Sequence, residues 1–402
     1  MESILTPDTQ AVLLLCGDLG QRESNGLKPL GIRQYGAVAS WLKLQGLRPG
    51  DLLTPDGKAA LAGLQTPEVN FDRVAPLLAR GAALALVVER WDRSGLWVVS
   101  RSDPSYPGRL KRYLGNAAPP LLYGVGAQRL LNQGGLAIVG SRDRSEEDGD
   151  FARRVAEYCA REGIVVVSGA AKGIDRDAMS GALEAGGWTL GVLAEGLAKT
   201  ATSGQYRSGL TSDRLTLLSP FDPDSRWFPY TAMERNKLLY GLGDAALVVA
   251  SAAESGGTWT GATEALKLGR VKVFVKSTGS LAPGNPLLLR KGGLPFPLEP
   301  WERLQSLFVA PEESNGQLLS AAPPDPPAAP ASGKPSHDAY ALVIDTMLSL
   351  LQERQADKWL SEKMGVRLPQ IKDWLDQGVA EGRIRKLKNP VSYVATPPTL
   401  FA

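Results

Sequence analysis

Runs of consecutive apolar residues alternate with mostly helical stretches from residue 135 onward. The runs are "LAIVG", "IVVVSG", "WTLGVLA", "LTLLS", "AALVVAS" and "VKVFVKS". They are apolar at successive positions rather than at every second one, which is typical of strands that helices cover on both faces. The pattern predicts a doubly wound α/β domain built on a mostly parallel sheet.

The first helical stretch of this domain, "SEEDGDFARRVAEYCAREG", carries signals at both ends. Phe151, Val155 and Cys159 recur at a spacing of four residues, which puts them on one face of a helix. Ser145 stands where an N-cap is expected, acidic residues follow it, and Gly163 stands where a C-terminal glycine is expected. We therefore predict a helix between Ser145 and Gly163.

The chain before the sheet divides into two parts. Residues 1–66 are predicted to form a helical N-terminal domain, in which "LKPLGIRQYGAVASWLKLQG" is the clearest amphipathic piece. Residues 67–130 are predicted to be an extension that connects to the sheet domain at residues 131–309. Within it, "DRVAPLLARGAALALVVE" predicts a helix and then a strand, and "LWVVS" predicts a further strand. The stretch that ends in "PPLLYGVG" is interpreted as a connector.

The chain after the sheet changes character twice. Residues 310–337 are rich in proline and alanine and lack periodicity, which predicts a linker. Residues 338–402 contain three short amphipathic stretches and then "RIRKLKNPVSYVAT", which predicts a hairpin around Lys388-Asn389-Pro390. Three helices and a hairpin predict a winged helix. The basic run "RIRKLK" suits contact with DNA and contact with protein equally.

Composition excludes several kinds of chemistry. The 402 residues include 2 cysteines and 1 histidine, and His337 lies in the predicted linker. Serine–histidine–aspartate catalysis, histidine-rich metal sites and a disulfide framework are therefore not expected, and we expect neither a cofactor nor a metal. The apolar runs are too short to span a bilayer, so we expect a cytoplasmic protein with no membrane partner. The net charge of +3 indicates no partner by itself.

Glycines and small polar residues follow three of the predicted strands. In an open parallel sheet, ligands bind outside the carboxyl ends of the strands. Glycines let an anion approach the backbone closely, and helix N-termini and hydroxyl groups supply donors. The sequence therefore predicts a phosphate-binding edge made of three groups: Gly140, Ser141 and Arg142; Ser168, Gly169, Lys172, Gly173 and Asp175; and Ser255, Gly256, Gly257 and Thr258.

Cations among these residues favour a chain of phosphates over a dinucleotide. Arg142 and Lys172 each offer a charge to a phosphate, whereas a dinucleotide turn holds its pyrophosphate mainly by the backbone. Arg235, Asn236 and Lys237 add a further polar cluster on a predicted helix. This arrangement suits a single strand of nucleic acid that crosses several loops.

Several of these residues also have a purely structural explanation. The glycine turns can be strand-to-helix corners, although three of them on one sheet edge favour a ligand site. Asp175 is expected as an N-cap more than as a ligand, and Trp259 as core more than as a stacking surface for bases. Arg235 and Lys237 suit a solvated helix face and a binding site equally.

The motifs of the sheet domain resemble those of the DNA-processing protein A (DprA/Smf) family. They are, in order, "LAIVGSR", "VVSGAAKGIDRDAMSGALEAGG", "FPYTAMERNKLLYGL", "ESGG" and "APGNPLLLRKGG", and the resemblance covers residues 100–295. It implies a Rossmann-like domain that binds single-stranded DNA and forms a homodimer. It also implies loading of a RecA-type recombinase onto that DNA, in transformation or recombination, with no catalytic step. A C-terminal winged helix is common in the family.

The resemblance implies roles for particular residues. Gly140, Ser141 and Arg142 take the phosphate role of the family's G-S-R motif. We also count Ser145, at the start of the next helix, among the phosphate-binding candidates. The remaining matches are Ser168, Gly169, Lys172, Gly173 and Asp175 to the motif S-G-x-A-[RK]-G-I-D, and Arg235, Asn236 and Lys237 to R-N-R, with lysine last.

The chain departs from the family pattern around the predicted binding edge. Ala178-Met179 replace A-H, "AEGLAKTATSGQYRSGL" replaces a stretch that contains Y-P, and "LLSPFDP" replaces S-E-x-P. These differences leave a divergent role open, for example in phage defence. Two other functions fit the same fold: a LOG-type nucleoside-phosphate hydrolase with Glu264 as its acid, and a sensor of a small nucleotide signal.

Overall fold

The central feature of the computed structural model is a single sheet of nine strands among the described residues. The structure describes residues 5–19, 27–200, 204–308, 344, 347–348, 350–351, 353–364, 368–387 and 392–396. The strands are β1 Leu96–Ser100, β2 Leu121–Gly126, β3 Leu136–Val139, β4 Val166–Ser168, β5 Thr189–Val192, β6 Leu215–Ser219, β7 Ala245–Val248, β8 Lys272–Val275 and β9 Leu294–Pro295. Their order in the sheet is β1-β2-β6-β5-β4-β3-β7-β8-β9.

The sheet is parallel from β6 to β9 and antiparallel where β2 meets β1 and β6. All six apolar runs of the sheet domain form strands, β3 to β8, and "LWVVS" forms β1. The prediction of a doubly wound, mostly parallel α/β sheet is therefore confirmed. A helical N-terminal region precedes the sheet, also as predicted.

Helices cover both faces of the sheet. Those described up to residue 308 are α1 Pro7–Cys16, α2 Ile32–Leu44, α3 Pro55–Leu61, α4 Phe71–Leu78, α5 Gly81–Arg93, α6 Gly108–Leu114, α7 Glu146–Arg161, α8 Ile174–Glu184, α9 Gly204–Thr211, α10 Pro229–Leu242, α11 Gly256–Leu268 and α12 Asn285–Arg290. In β3, Leu136 and Ile138 pack into the core that contains α7 and α8. Ala137 and Val139 point the other way, into the core that contains α10, α11 and α12.

The order of the strands creates a crevice beside β3. The chain moves outward from β3 through β4 and β5 to β6, and α10 then returns it so that β7 pairs with β3 on the opposite side. The loops after β3 and β7 consequently lead to helices on opposite faces of the sheet. Ligands of open α/β sheets bind at such a switch point.

The predicted helix after β3 is confirmed as α7, together with both of its end signals. The Ser145 hydroxyl accepts a hydrogen bond from the Asp148 backbone N–H at 3.1 Å, and acidic residues occupy the first turn. Gly163 follows the helix with a φ of 70°, in the left-handed region that favours glycine.

Two predictions for residues 67–130 are wrong. The run "ALALVV", expected as a strand, lies within α5, because the first two turns of that helix are buried on two sides and carry no polar residue. Ala83, Leu84 and Val87 pack into the N-terminal core, whereas Ala82 and Ala85 pack against C-terminal residues. The stretch "PPLLYGVG", interpreted as a connector, contains β2, which joins β1 to the parallel strands.

The C-terminal elements that the structure describes are two helices and a hairpin. They are α13 Asp357–Met364, α14 Leu368–Ala380, β10 Ile384–Leu387 and β11 Ser392–Ala395, and the two strands pair antiparallel. Lys388, Asn389, Pro390, the linker at 310–337 and most of the first predicted helix lie outside the described residues. The winged helix therefore stays a prediction. Within the described ranges, every helix is too short or too polar to cross a membrane.

Candidate functional site

A cavity of about 610 Å³ opens at the carboxyl ends of β3 and β7. Residues of all three predicted loops and of α10 meet there, at the switch point of the sheet. We call it the main cavity. The predicted site residues that line it are Gly140, Ser141, Arg142, Asp175, Arg235, Asn236, Ser255, Gly256, Gly257 and Thr258.

Backbone hydrogen bonds hold the loop after β3 in place, and its Arg142 side chain is exposed to the solvent. The Ser141 N–H donates to the Ala250 carbonyl at 2.9 Å, and the Ser141 carbonyl accepts from the Ile174 N–H at 3.3 Å. Arg142 is exposed at the mouth of the main cavity, and its guanidinium carbon lies 5.3 Å from the centre of the Trp227 ring. A cation held over an aromatic face stays partly solvated and remains able to meet an anion.

A buried ion pair lies beneath this loop. The Arg235 Nη1 and the Asp175 Oδ2 are 3.5 Å apart, and both side chains are more than nine-tenths buried. Burial raises the pKa of the Asp175 carboxyl, although Arg235 and the N–H groups of Gly140 and Ala171 oppose the shift. The Asp175 carboxylate therefore holds the first and second loops against α10.

The guanidinium groups of Arg142 and Arg235 both belong to residues that line the main cavity. Burial lowers the pKa of Arg235, Asp175 opposes the shift, and the charge of Arg142 lowers it further. Each arginine is therefore near enough to repel the other, and an anion between them would relieve that repulsion. Asp143 also lines the main cavity and is exposed there. An anion that binds near the two arginines must therefore pass one carboxylate.

The second loop fits beneath Arg142 because two of its residues are glycines. A methyl group at Gly169 would overlap the Arg235 guanidinium and the Asp175 carboxylate. Gly173 has a φ of 92° and faces the Ser141 carbonyl. Gly173, not Asp175, is also the N-cap of α8, so the prediction of Asp175 as an N-cap is wrong. The close approach of the first loop leaves no room for a side chain at that cap.

The third loop presents a helix N-terminus to the main cavity. Ser255 is the N-cap of α11, and the first-turn residues Gly256, Gly257 and Thr258 line the cavity. First-turn N–H groups have no partner within the helix and carry a partial positive charge. The Asn236 side chain donates to the Gly257 carbonyl at 3.1 Å, which joins α10 to this turn. The loop is thus suited to hold an anionic oxygen.

Two buried hydrogen-bond donors in the wall of the main cavity lack a partner among the described residues. They are the Nε of Arg235 and the hydroxyl of Tyr240. An unsatisfied buried donor costs about 1–3 kcal/mol, and such groups are rare in folded proteins without a functional reason. The Arg235 Nε–H only donates and the Tyr240 hydroxyl is able to donate, so a ligand with acceptor oxygens or nitrogens would satisfy both.

A smaller space of about 270 Å³ lies next to the main cavity, between α10 and α11. We call it the side groove. It shares Met233, Asn236, Gly257 and Thr260 with the main cavity, so the two spaces adjoin. The Lys237 Nζ and the Glu264 Oε1 lie 3.3 Å apart on its wall.

The other predicted site residues lie outside the main cavity. Ser145 caps α7, the Ser168 hydroxyl donates to the Ile138 carbonyl at 2.7 Å, and Lys172 is exposed on the second loop. Gly169 and Gly173 pack behind the cavity, and Lys237 lies in the side groove. Trp259 is buried in the core, as expected.

The sequence interpretation missed two aromatic residues of the main cavity, Trp227 and Tyr240. The segment "WFPY" did indicate exposed aromatic residues. It has three of them around a proline that starts a helix, and the core cannot take up all three. Trp227, Phe228, Tyr230 and Met233 are 41%, 43%, 59% and 50% exposed, respectively. Together they form an exposed apolar strip that runs past both spaces.

The part of the chain that carries the site is similar to one family of sequences. The family model described as DNA recombination-mediator protein A matches residues 97–292, which include all the predicted site residues. Protein Smf of Escherichia coli (strain K12) is 34% identical over 193 residues, which are 47% of this chain and 51% of that protein. The DNA processing protein DprA of Bacillus subtilis (strain 168) is 28% identical over 215 residues, which are 52% of this chain and 71% of that protein.

A solved structure shows the same fold. The X-ray structure of DNA processing protein A (DprA) from Streptococcus pneumoniae matches with a TM-score of 0.54 at 22% identity, over 73% of this chain and 95% of that chain. The sequence matches are shorter: they span about half the length of protein Smf. The likeness in sequence therefore concerns mainly the sheet domain and the site residues within it.

Proposed function

Because residues 97–292 match the model of the DNA recombination-mediator protein A family, we propose that the main cavity binds single-stranded DNA by the phosphates. The observation that carries the proposal is the pair of buried, unpartnered donors on Arg235 and Tyr240. Arg142 at the mouth and the N-terminus of α11 supply a charge and free N–H groups to the same space. Phosphate oxygens are acceptors, and they match all of these groups.

The exposed apolar strip favours binding of single-stranded DNA over duplex DNA. Bases of a single strand stack on aromatic side chains, whereas the bases of a duplex are already stacked on one another. Trp227 and Tyr230 are exposed beside the groups that suit phosphates. A flexible strand is thus able to place a phosphate in the main cavity and a base on the strip.

We propose further that the bound strand is handed to a RecA-type recombinase and that the protein acts as a homodimer. The homodimer is what the resemblance to the DprA/Smf family implies. The support for the recombinase is the family description, which names a mediator of recombination. Relatives described as DNA processing proteins agree with it. The expectation of a binding role rather than a catalytic one fits this description.

The purified protein is expected to bind labelled oligo-dT more tightly than blunt duplex DNA or nucleoside monophosphates. Several weak contacts along one flexible strand add up, while a monophosphate makes only one set of them. Fluorescence anisotropy at two salt concentrations measures all three ligands in parallel. We expect the affinity for oligo-dT to fall as salt rises, because phosphate contacts release counterions. Tighter binding of duplex DNA would contradict the proposal.

The hydrolase alternative requires an acid beside the sugar of a bound nucleotide. Glu264 is eight residues beyond the start of α11, about 12 Å along the helix axis. It pairs with Lys237 in the side groove instead of lining the main cavity. A ribose held near the phosphate-binding groups is therefore out of its reach.

We accordingly expect no release of free base from AMP or other nucleoside monophosphates. Liquid chromatography of long incubations with the purified protein measures free adenine directly. The same preparation must bind oligo-dT, so that an inactive sample is not mistaken for a negative result. Base release that disappears in Glu264→Gln would overturn the assignment.

A further inference from the structure

We infer that the side groove is a nucleobase subsite that prefers guanine. The inference rests on the proposed binding of single-stranded DNA and adds a base preference to it. Phosphate contacts alone carry no sequence information, so this preference needs a separate structural origin. The side groove supplies one, because its wall holds a carboxylate and an ammonium group side by side.

The position of the side groove suits the base next to a bound phosphate. Asn236 and Gly257 line both spaces and are joined by a hydrogen bond of 3.1 Å. Met233 and Thr260 line both spaces as well. A strand whose phosphate meets the N-terminus of α11 therefore has the side groove directly beside it.

The groove also offers a stacking surface. The Tyr230 ring stacks on Phe228, with ring centres 5.5 Å apart and planes inclined by 18°. Tyr230 is nevertheless 59% exposed, so Phe228 supports the ring without covering it. A supported, exposed ring loses little conformational freedom when a base packs against it.

The charged pair on the wall is available to a ligand. The Lys237 and Glu264 side chains are 45% and 40% exposed, and ion pairs in that setting contribute little to stability. Breaking this ion pair therefore costs little free energy when a base forms hydrogen bonds to both groups in its place. The Glu264 carboxylate accepts hydrogen bonds and the Lys237 ammonium donates them.

Guanine matches this pair best among the four bases. Its N1–H and N2–H₂ groups are adjacent donors for the two carboxylate oxygens, and its O6 is an acceptor beside them for the ammonium. Cytosine and adenine present one amino group next to a ring acceptor. Thymine presents one N–H between two carbonyl oxygens, and one of those oxygens would face the carboxylate. The expected order is therefore guanine first and thymine last.

The test compares oligo-dT with the same oligomer carrying isolated dG residues or isolated dA residues. We expect the intact protein to bind the dG oligomer about fivefold or more tightly than oligo-dT, the scale of a bidentate contact to a base. The dA oligomer separates hydrogen bonding from purine stacking, since both purines stack. In Glu264→Gln the dG oligomer should bind no more tightly than the dA oligomer, because the amide presents a donor in place of one acceptor while purine stacking is unchanged.

Glu157→Gln is the matched control. It removes the same charge on α7, which packs on the opposite face of the sheet, and should keep the preference for dG. Equal binding of dG and dT oligomers by the intact protein would overturn the subsite and leave the proposed function standing. So would equal binding of dG and dA oligomers by the intact protein, or a preference for dG over dA that survives in Glu264→Gln. Failure to bind any oligomer at low salt would overturn the proposed function and the subsite together.

Discussion

Gly169→Ala is expected to lower the free energy of unfolding by about 3 kcal/mol or more, the scale at which breaking a buried ion pair costs stability. The added methyl group would overlap the Arg235 guanidinium and the Asp175 carboxylate. Both charges are buried, so separating them leaves each without compensation. Urea denaturation followed by circular dichroism measures the loss.

Gly36→Ala is the control for this substitution. Gly36 lies within α2, and a methyl group there meets no other atom within 4 Å. Alanine is favoured over glycine inside a helix, so this variant should be as stable as the native chain or slightly more stable. The Gly169 variant should also lose affinity for oligo-dT at temperatures where it stays folded, because Arg235 lines the main cavity. A Gly169→Ala protein with native stability would show that the second loop has room the structure does not give it.

The sheet could be predicted from sequence because its strands are buried on both faces. Their side chains are consecutively apolar, and helices intervene between most of them, so the pattern and the connections agree. The same argument fails for α5. Its first two turns are also buried on two sides, by Ala82 and Ala85 on one and Val87 on the other, so no polar residue there distinguishes the helix from a strand.

The site could be predicted only as far as the loops that follow strands. Arg142 lies in the loop after β3 and Asp175 in the first turn of the helix after β4, and the topology of a parallel sheet brings such segments together. Trp227 and Tyr240 belong to the segment that returns from β6 to β7. Their place in the main cavity depends on how α10 crosses the sheet, which local periodicity does not encode.

Arg142→Ala is expected to weaken binding of oligo-dT about tenfold at low salt, as the loss of a charge-assisted contact to phosphate. The slope of log affinity against log salt concentration should become shallower by about 0.7, the counterion release of one phosphate contact on a single strand. Arg33→Ala is the control, because it removes the same charge from an exposed position on α2. Titrations at four or more salt concentrations give both quantities.

Arg142→Lys separates the charge from the planar group. Lysine keeps the positive charge and so the release of a counterion, and the slope of log affinity against log salt concentration should equal that of the native protein. It gives up the contact of the guanidinium with the Trp227 ring and the forked geometry of that group, so affinity should fall between the native chain and Arg142→Ala. If both variants match the native protein in affinity and slope, the loop after β3 is a structural corner. The phosphate would then have to meet Arg235 and α11 without help from Arg142.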